Sequence, residues 1–213
     1  MADIFEEVDE DLKHENYKRL WDRYGRYIVA IIVIVIGGAA ANVGWKSYTE
    51  SRQLELSEQF VAALMEADSG NLEEAAGAMS QLASETDSGY AMLARFREAA
   101  LRREAGAAAA SIDIYDAIAA DTSIEPLYRD LGTLLSVMSQ VDSGDPAALS
   151  NRLQPLAAAG AWRHTANEYL GILAIRQGNS DAARSHFQAV ADDATAPSGA
   201  RSRSAELLRT LAP

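Results

Sequence analysis

The feature that most constrains this chain is an uncharged run from Tyr27 to Trp45, 19 residues that include IVAIIVIVI at Ile28–Ile36. About 20 apolar residues carry a helix across the hydrocarbon core of a bilayer. Inside that core every backbone polar group must be bonded within the segment, so a lone span has to be helical. Tyr24, Tyr27 and Trp45 mark the two ends of the run, where amphipathic rings favour the membrane interface. The run therefore predicts a single transmembrane helix over residues 27–45. A cleaved signal peptide is the alternative, because Ala39-Ala40-Ala41 supplies small residues like those of a cleavage site. Against it, 26 residues precede the run and the first dozen carry six acids, unlike a short basic leader.

Lysine and arginine near the ends set orientation, and acids contribute little. Lys13, Lys18, Arg19, Arg23 and Arg26 precede the run, whereas only Lys46 and Arg52 follow it closely. Residues 1–26 are thus expected in the cytoplasm and residues 46–213 across the membrane, which for a Gram-negative inner membrane means the periplasm. Tyr17, Leu20, Trp21, Tyr24 and Ile28 recur at helical spacing with basic residues between them. That pattern suits either an amphipathic helix on the inner leaflet or a plain basic flank. Gly37 with Ala41, and Ala40 with Gly44, give the small-xxx-small spacing that lets membrane helices approach one another.

Beyond residue 45, alanine is abundant, prolines are few and β-branched residues are sparse, a composition that favours helix over sheet. The fold class is all-α. The chain has no cysteine, which removes disulfides and thiolate chemistry. Its net charge of −12 argues against nucleic acid or an anionic lipid surface as a partner of the body of the protein, because both would be repelled.

Glycine turns organise this part. Gly70, Gly106, Gly144 and Gly178 fall 36, 38 and 34 residues apart, a period that belongs to helical-hairpin repeats. An alanine-rich helical segment flanks each turn on either side. The copy at Trp162–Pro197 resembles the tetratricopeptide pattern: Leu170-Gly171 supplies its Leu-Gly pair, Gly178 the turn, and Ala183 with Phe187 its A-x-x-x-F. Gly171 and Ala183 are expected where the two helices approach closely, and Phe187 between this hairpin and its neighbour. Asn167 and Ala174 depart from the pattern, standing where it has Trp and Tyr. Ser111 with Tyr115, and Ala75 with Met79, take the small and bulky roles in earlier copies. The expectation is an α-solenoid of about four hairpins closed by a capping helix at Ser198–Leu211. An irregular bundle with accidental glycine spacing is the alternative.

No catalytic constellation is legible, so the chain reads as a non-enzyme without cofactor, metal or small-molecule substrate. His164 and His186 lack metal spacing and read as helix-surface residues. GxSxG, P-loop and dinucleotide fingerprints are absent. Acid pairs such as Glu73-Glu74 and Asp192-Asp193 read as solvated helix faces.

ENYKRLWDRYGRYIVA and AANVGWKSY at the membrane, SGYAMLARFREAAL, and AGAWRHTANEYLGILAIRQGNSDAARSHFQAV near the C-terminus together resemble the YfgM-like family of ancillary SecYEG translocon subunits. The acidic leader ADIFEEVDEDL differs from that family's shorter leaders. The resemblance implies a bitopic inner-membrane protein whose periplasmic repeats work beside the translocon and a membrane-anchored chaperone of the prolyl-isomerase type. It supplies no catalytic residue. A coordinator of the cell envelope or of division, acting through similar repeats, is the alternative function.

Overall fold

The computed structural model describes the backbone of residues 3–86 and 88–211, and the side chains of these apart from residues 3–20, 22, 28 and 32. Among the described residues every regular element is an α-helix. The order is α1 (Asp3–Asp68), α2 (Leu72–Glu85), α3 (Gly89–Glu104), α4 (Ala108–Ala120), α5 (Pro126–Gln140), α6 (Pro146–Ala158), α7 (Arg163–Arg176), α8 (Ser180–Ala191) and α9 (Ser198–Thr210). The chain divides into two compact units, residues 1–55 and 56–213.

The first unit is helical backbone and contains the uncharged run. Ile34, Val35 and Ile36 there are 71%, 63% and 63% exposed. In water each such side chain would forgo roughly 1.5–3 kcal/mol of burial. This is the one helix among the described residues that is long and apolar enough to cross a membrane. The amphipathic face expected from Tyr17, Leu20 and Ile28 lies outside the described side chains.

The second unit is a tetratricopeptide-like solenoid: helical hairpins in series, with α9 closing the series. Three of the four turns share one mechanism. Gly70, Gly106 and Gly178 have φ of +90°, +86° and +72°, a conformation that costs an L side chain energy and glycine very little. Each glycine N–H bonds back three residues and the next N–H bonds back five, as in Asn179 N to Ala174 O at 2.9 Å. Orphan carbonyls at the helix end are thereby satisfied in a Schellman cap.

The turn at Gly144 is built differently. Five residues separate α5 from α6, against three at the other turns, and Gly144 is not left-handed. A Cβ there would lie 3.0 Å from Leu149 Cδ1 and 3.1 Å from the Gln140 carbonyl, so crowding and not handedness selects glycine. Pro146 starts α6, and Asp145 accepts from the backbone N–H groups of Ala147 and Ala148, the usual N-cap economy.

Apolar clusters bridge each hairpin to the next helix. Leu56, Ala63 and Ala67 of α1 pack with Ala75, Met79 and Leu82 of α2 and with Ala94 and Leu101 of α3. Leu134 and Val137 of α5 join Leu149 and Leu153 of α6 and Leu170 and Leu173 of α7. A single hairpin would leave an apolar face in water, so stacking is what completes each core.

Candidate partner-binding surface

The residues singled out by the repeat pattern occupy the interior. Ala75, Met79, Ser111, Ala183 and Phe187 are fully buried, and Tyr115 and Leu170 nearly so. At Gly171 of α7 there is no room for a side chain against α8: an added Cβ would sit 2.6 Å from Phe187 Cε1. Phe187 packs with Ala174 and Ala183, and Leu207, Leu208 and Leu211 of the C-terminal segment close over the cluster. Gly132, which the repeat pattern had not singled out, is a second close approach. A Cβ there would lie 3.0 Å from the Tyr115 carbonyl and 3.1 Å from Ala119 N, which seats α5 against α4. Gly37, Ala40, Ala41 and Gly44 lie on the exposed first unit, and a Cβ on Gly37 or Gly44 would meet nothing within 4 Å.

The repeats are fastened at their loops by a device that recurs. Asp121, after α4, accepts from the Ser123 N–H and hydroxyl and pairs with Arg95 of α3 at 2.9 Å. Asp193, after α8, accepts from the Thr195 N–H and hydroxyl and pairs with Arg163 of α7 at 2.9 Å. Each arginine comes from the first helix of its own hairpin, so each carboxylate ties a loop to that helix. Hydrogen bonds from Ser123, then Arg95, draw the Asp121 pKa down to about 2. Those from Thr195, then His164 and Arg163, hold Asp193 well below the usual carboxylate range. The sequence signal is an Asp-x-Ser/Thr shortly before a proline, 72 residues apart, and it escaped a reading centred on glycines.

Two expectations about polar residues are corrected here. The histidines are not free surface groups: His164 Nε2 lies 2.8 Å from Asp193 Oδ2, and His186 Nδ1 lies 3.0 Å from Asn167 Oδ1. Asp193, partly exposed beside the exposed Asp192, is more than a solvated acid: it is the centre of a loop clamp. Asn167, standing where the repeat pattern has Trp, also donates to the Ala157 carbonyl at 3.2 Å, so it links α6, α7 and α8 by polar bonds. Glu168 was also missed. It is 6% exposed and receives both Nε and Nη2 of Arg203 at 2.7 and 2.9 Å, a bidentate bond from α9 to α7.

The Thr195 hydroxyl donates to Asp193 and is not presented to an imidazole, as a nucleophile with its base would be. No group of three or more metal-ligating side chains occurs among the described residues. What the surface offers is clefts lined by apolar and polar side chains together. One of about 430 Å³ lies between the α2–α3 and α4–α5 loops, lined by Met92, Arg95, Asp121, Ile124 and Tyr128 among others. Another of about 460 Å³ lies on the first hairpin against Gln59, Ala62, Ala78, Gln81 and Leu82. Leu93, Leu127 and Ile175 are 50%, 43% and 40% exposed on α3, α5 and α7.

An all-helical hairpin array with side-chain-sized clefts and apolar residues on its surface defines a repeat protein of the protein-interaction class. The chain belongs to the tetratricopeptide repeat-like domain family, whose model matches residues 18–208. That match starts upstream of the uncharged run, so the family takes in the apolar helix together with the repeats. Domains of this kind are typically non-catalytic protein-interaction modules. No curated protein and no solved structure matches the chain.

Proposed function

We propose that this protein is a membrane-anchored scaffold that binds polypeptides through its helical repeats. The observation that carries the reading is one family match spanning both an apolar helix of membrane-crossing length and a hairpin array. A scaffold of this kind recognises extended or helical segments by apolar clefts with polar rims, and the anchor confines it to a membrane surface. The excess of lysine and arginine before the run supports a cytoplasmic N-terminus, residues 27–45 as the span and residues 46–213 in the periplasm of an inner membrane. The resemblance at the membrane segment and last hairpin supports a station beside the SecYEG translocon, with a membrane-anchored prolyl-isomerase-type chaperone as co-partner and newly exported chains as clients.

Affinity purification from mild detergent after crosslinking tests this, with a C-terminal tag and a control lacking residues 28–45. Recovery of SecYEG and a periplasmic isomerase with the intact chain, and their loss from the control, is the expected result. A different stable partner set, such as division proteins without SecYEG, would replace this reading with that of an envelope coordinator.

A further inference from the structure

Just before the uncharged run lies a band of side chains that the repeats do not use. Residues 18–27 hold Lys18, Arg19, Arg23 and Arg26 against one acid, Asp22, so three net positive charges gather there in a chain of net charge −12. The Arg26 guanidinium lies 4.9 Å from the Tyr27 ring centre and donates to the Tyr27 hydroxyl at 3.1 Å. That of Arg23 lies 5.8 Å from the Tyr24 ring centre, within the range of cation–π attraction. Trp21 rests its indole on Gly25, where an added Cβ would come within 3.2 Å of the ring. Gly25 is buried beneath it, while Trp21, Arg23, Tyr24, Arg26 and Tyr27 are all exposed. Two helical turns, about 10 Å of helix, thus carry three amphipathic rings and two ring-held guanidinium groups directly against the apolar segment.

Indole and phenol rings settle at headgroup level, and guanidinium is the side chain best matched to phosphate oxygens. We infer that Trp21–Tyr27 forms a binding site for anionic phospholipid headgroups, with Arg23 and Arg26 on phosphate and the three rings at the headgroup–acyl boundary. The inference rests on the anchor reading above, because only a span places the band at that depth. Continuity with the apolar run selects a membrane lipid over a free phosphate.

The test uses the full chain in mild detergent, with phosphatidylglycerol and phosphatidylcholine of matched acyl chains scored as adducts by native mass spectrometry. Phosphatidylglycerol should be preferred, and R23Q and R26Q should each weaken that preference about fivefold, while Lys46→Gln at the far end leaves it unchanged. An unchanged preference in the R23Q/R26Q double variant, or an equal loss in Lys46→Gln, would overturn the site. Displacement of the lipid by inorganic phosphate would overturn its assignment to lipid. Carbonate extraction of the wild-type chain from vesicles separates the two readings: a released chain removes the anchor and the site together, whereas a retained chain without lipid preference removes only the site.

Discussion

Gly171 shows how much of this fold turns on one hydrogen atom. Its missing side chain is the space that Phe187 occupies, with an added Cβ 2.6 Å from the ring. Gly171→Ala should therefore destabilise the protein by about 1–3 kcal/mol, the usual cost of overpacking. The loss should read as a lower urea midpoint at unchanged slope. Phe187→Leu in the same chain should recover part of that loss, and an additive loss would show that the two residues do not share the space. His186 makes a pH prediction at the same scale. Burial holds its pKa below the ordinary 6.5, so between those values the unfolded chain binds the proton more readily than the folded one. Stability should fall as pH drops through 6.5 toward the folded-state pKa. His186→Gln should flatten the melting temperature across that window, and a slope equal to wild type would assign the dependence elsewhere.

Turns and caps decide behaviour at the level of the element. Gly70, Gly106 and Gly178 are left-handed, so Gly178→Ala should cost about 1 kcal/mol and Gly178→Asn less, because asparagine tolerates that conformation. Gly144 should not follow this order, since its constraint is contact with Leu149 and the Gln140 carbonyl. Thermal melts of the four variants would separate handedness from crowding. The closing helix depends on the Arg203–Glu168 bond. Arg203 is 61% exposed and Glu168 8% by side chain, so Arg203→Ala leaves a buried carboxylate unpaired. A cost at or below about 1.5–3 kcal/mol is expected, given the arginine's exposure to solvent. Hydrogen exchange should show α9 amides losing protection before those of α7. Simultaneous loss in both helices would mean that α9 does not open by itself.

On the scale of the whole molecule, the second unit holds, among the described residues, the apolar clusters that pack the hairpins. A fragment of residues 46–213 should therefore fold in water without the uncharged run. Helical circular dichroism with a cooperative urea transition is the expected outcome, and an aggregated or non-cooperative fragment would make the preceding segment part of the fold. The full chain should need detergent or lipid, because the exposed Ile34–Ile36 stretch has no protein surface covering it among the described residues.

What the sequence determined by itself is what short-range physics encodes. An uncharged run of fixed length, alanine-rich segments and glycines at about 36-residue intervals are each read within a few neighbouring positions. They specify an all-helical class, one apolar helix and the places where hairpins turn. The small and bulky positions at Gly171, Ala183 and Phe187 were legible because their spacing follows helical geometry. Tertiary structure alone decided that Gly132 seats α5 against α4, that the Gly144 turn is longer and not left-handed, and that Asp121, Asp193 and Glu168 are held by arginines 26, 30 and 35 residues away. Such pairings depend on how one helix is rotated against the next. That rotation is set by the sum of side-chain volumes across several interfaces and has no local signature in the chain.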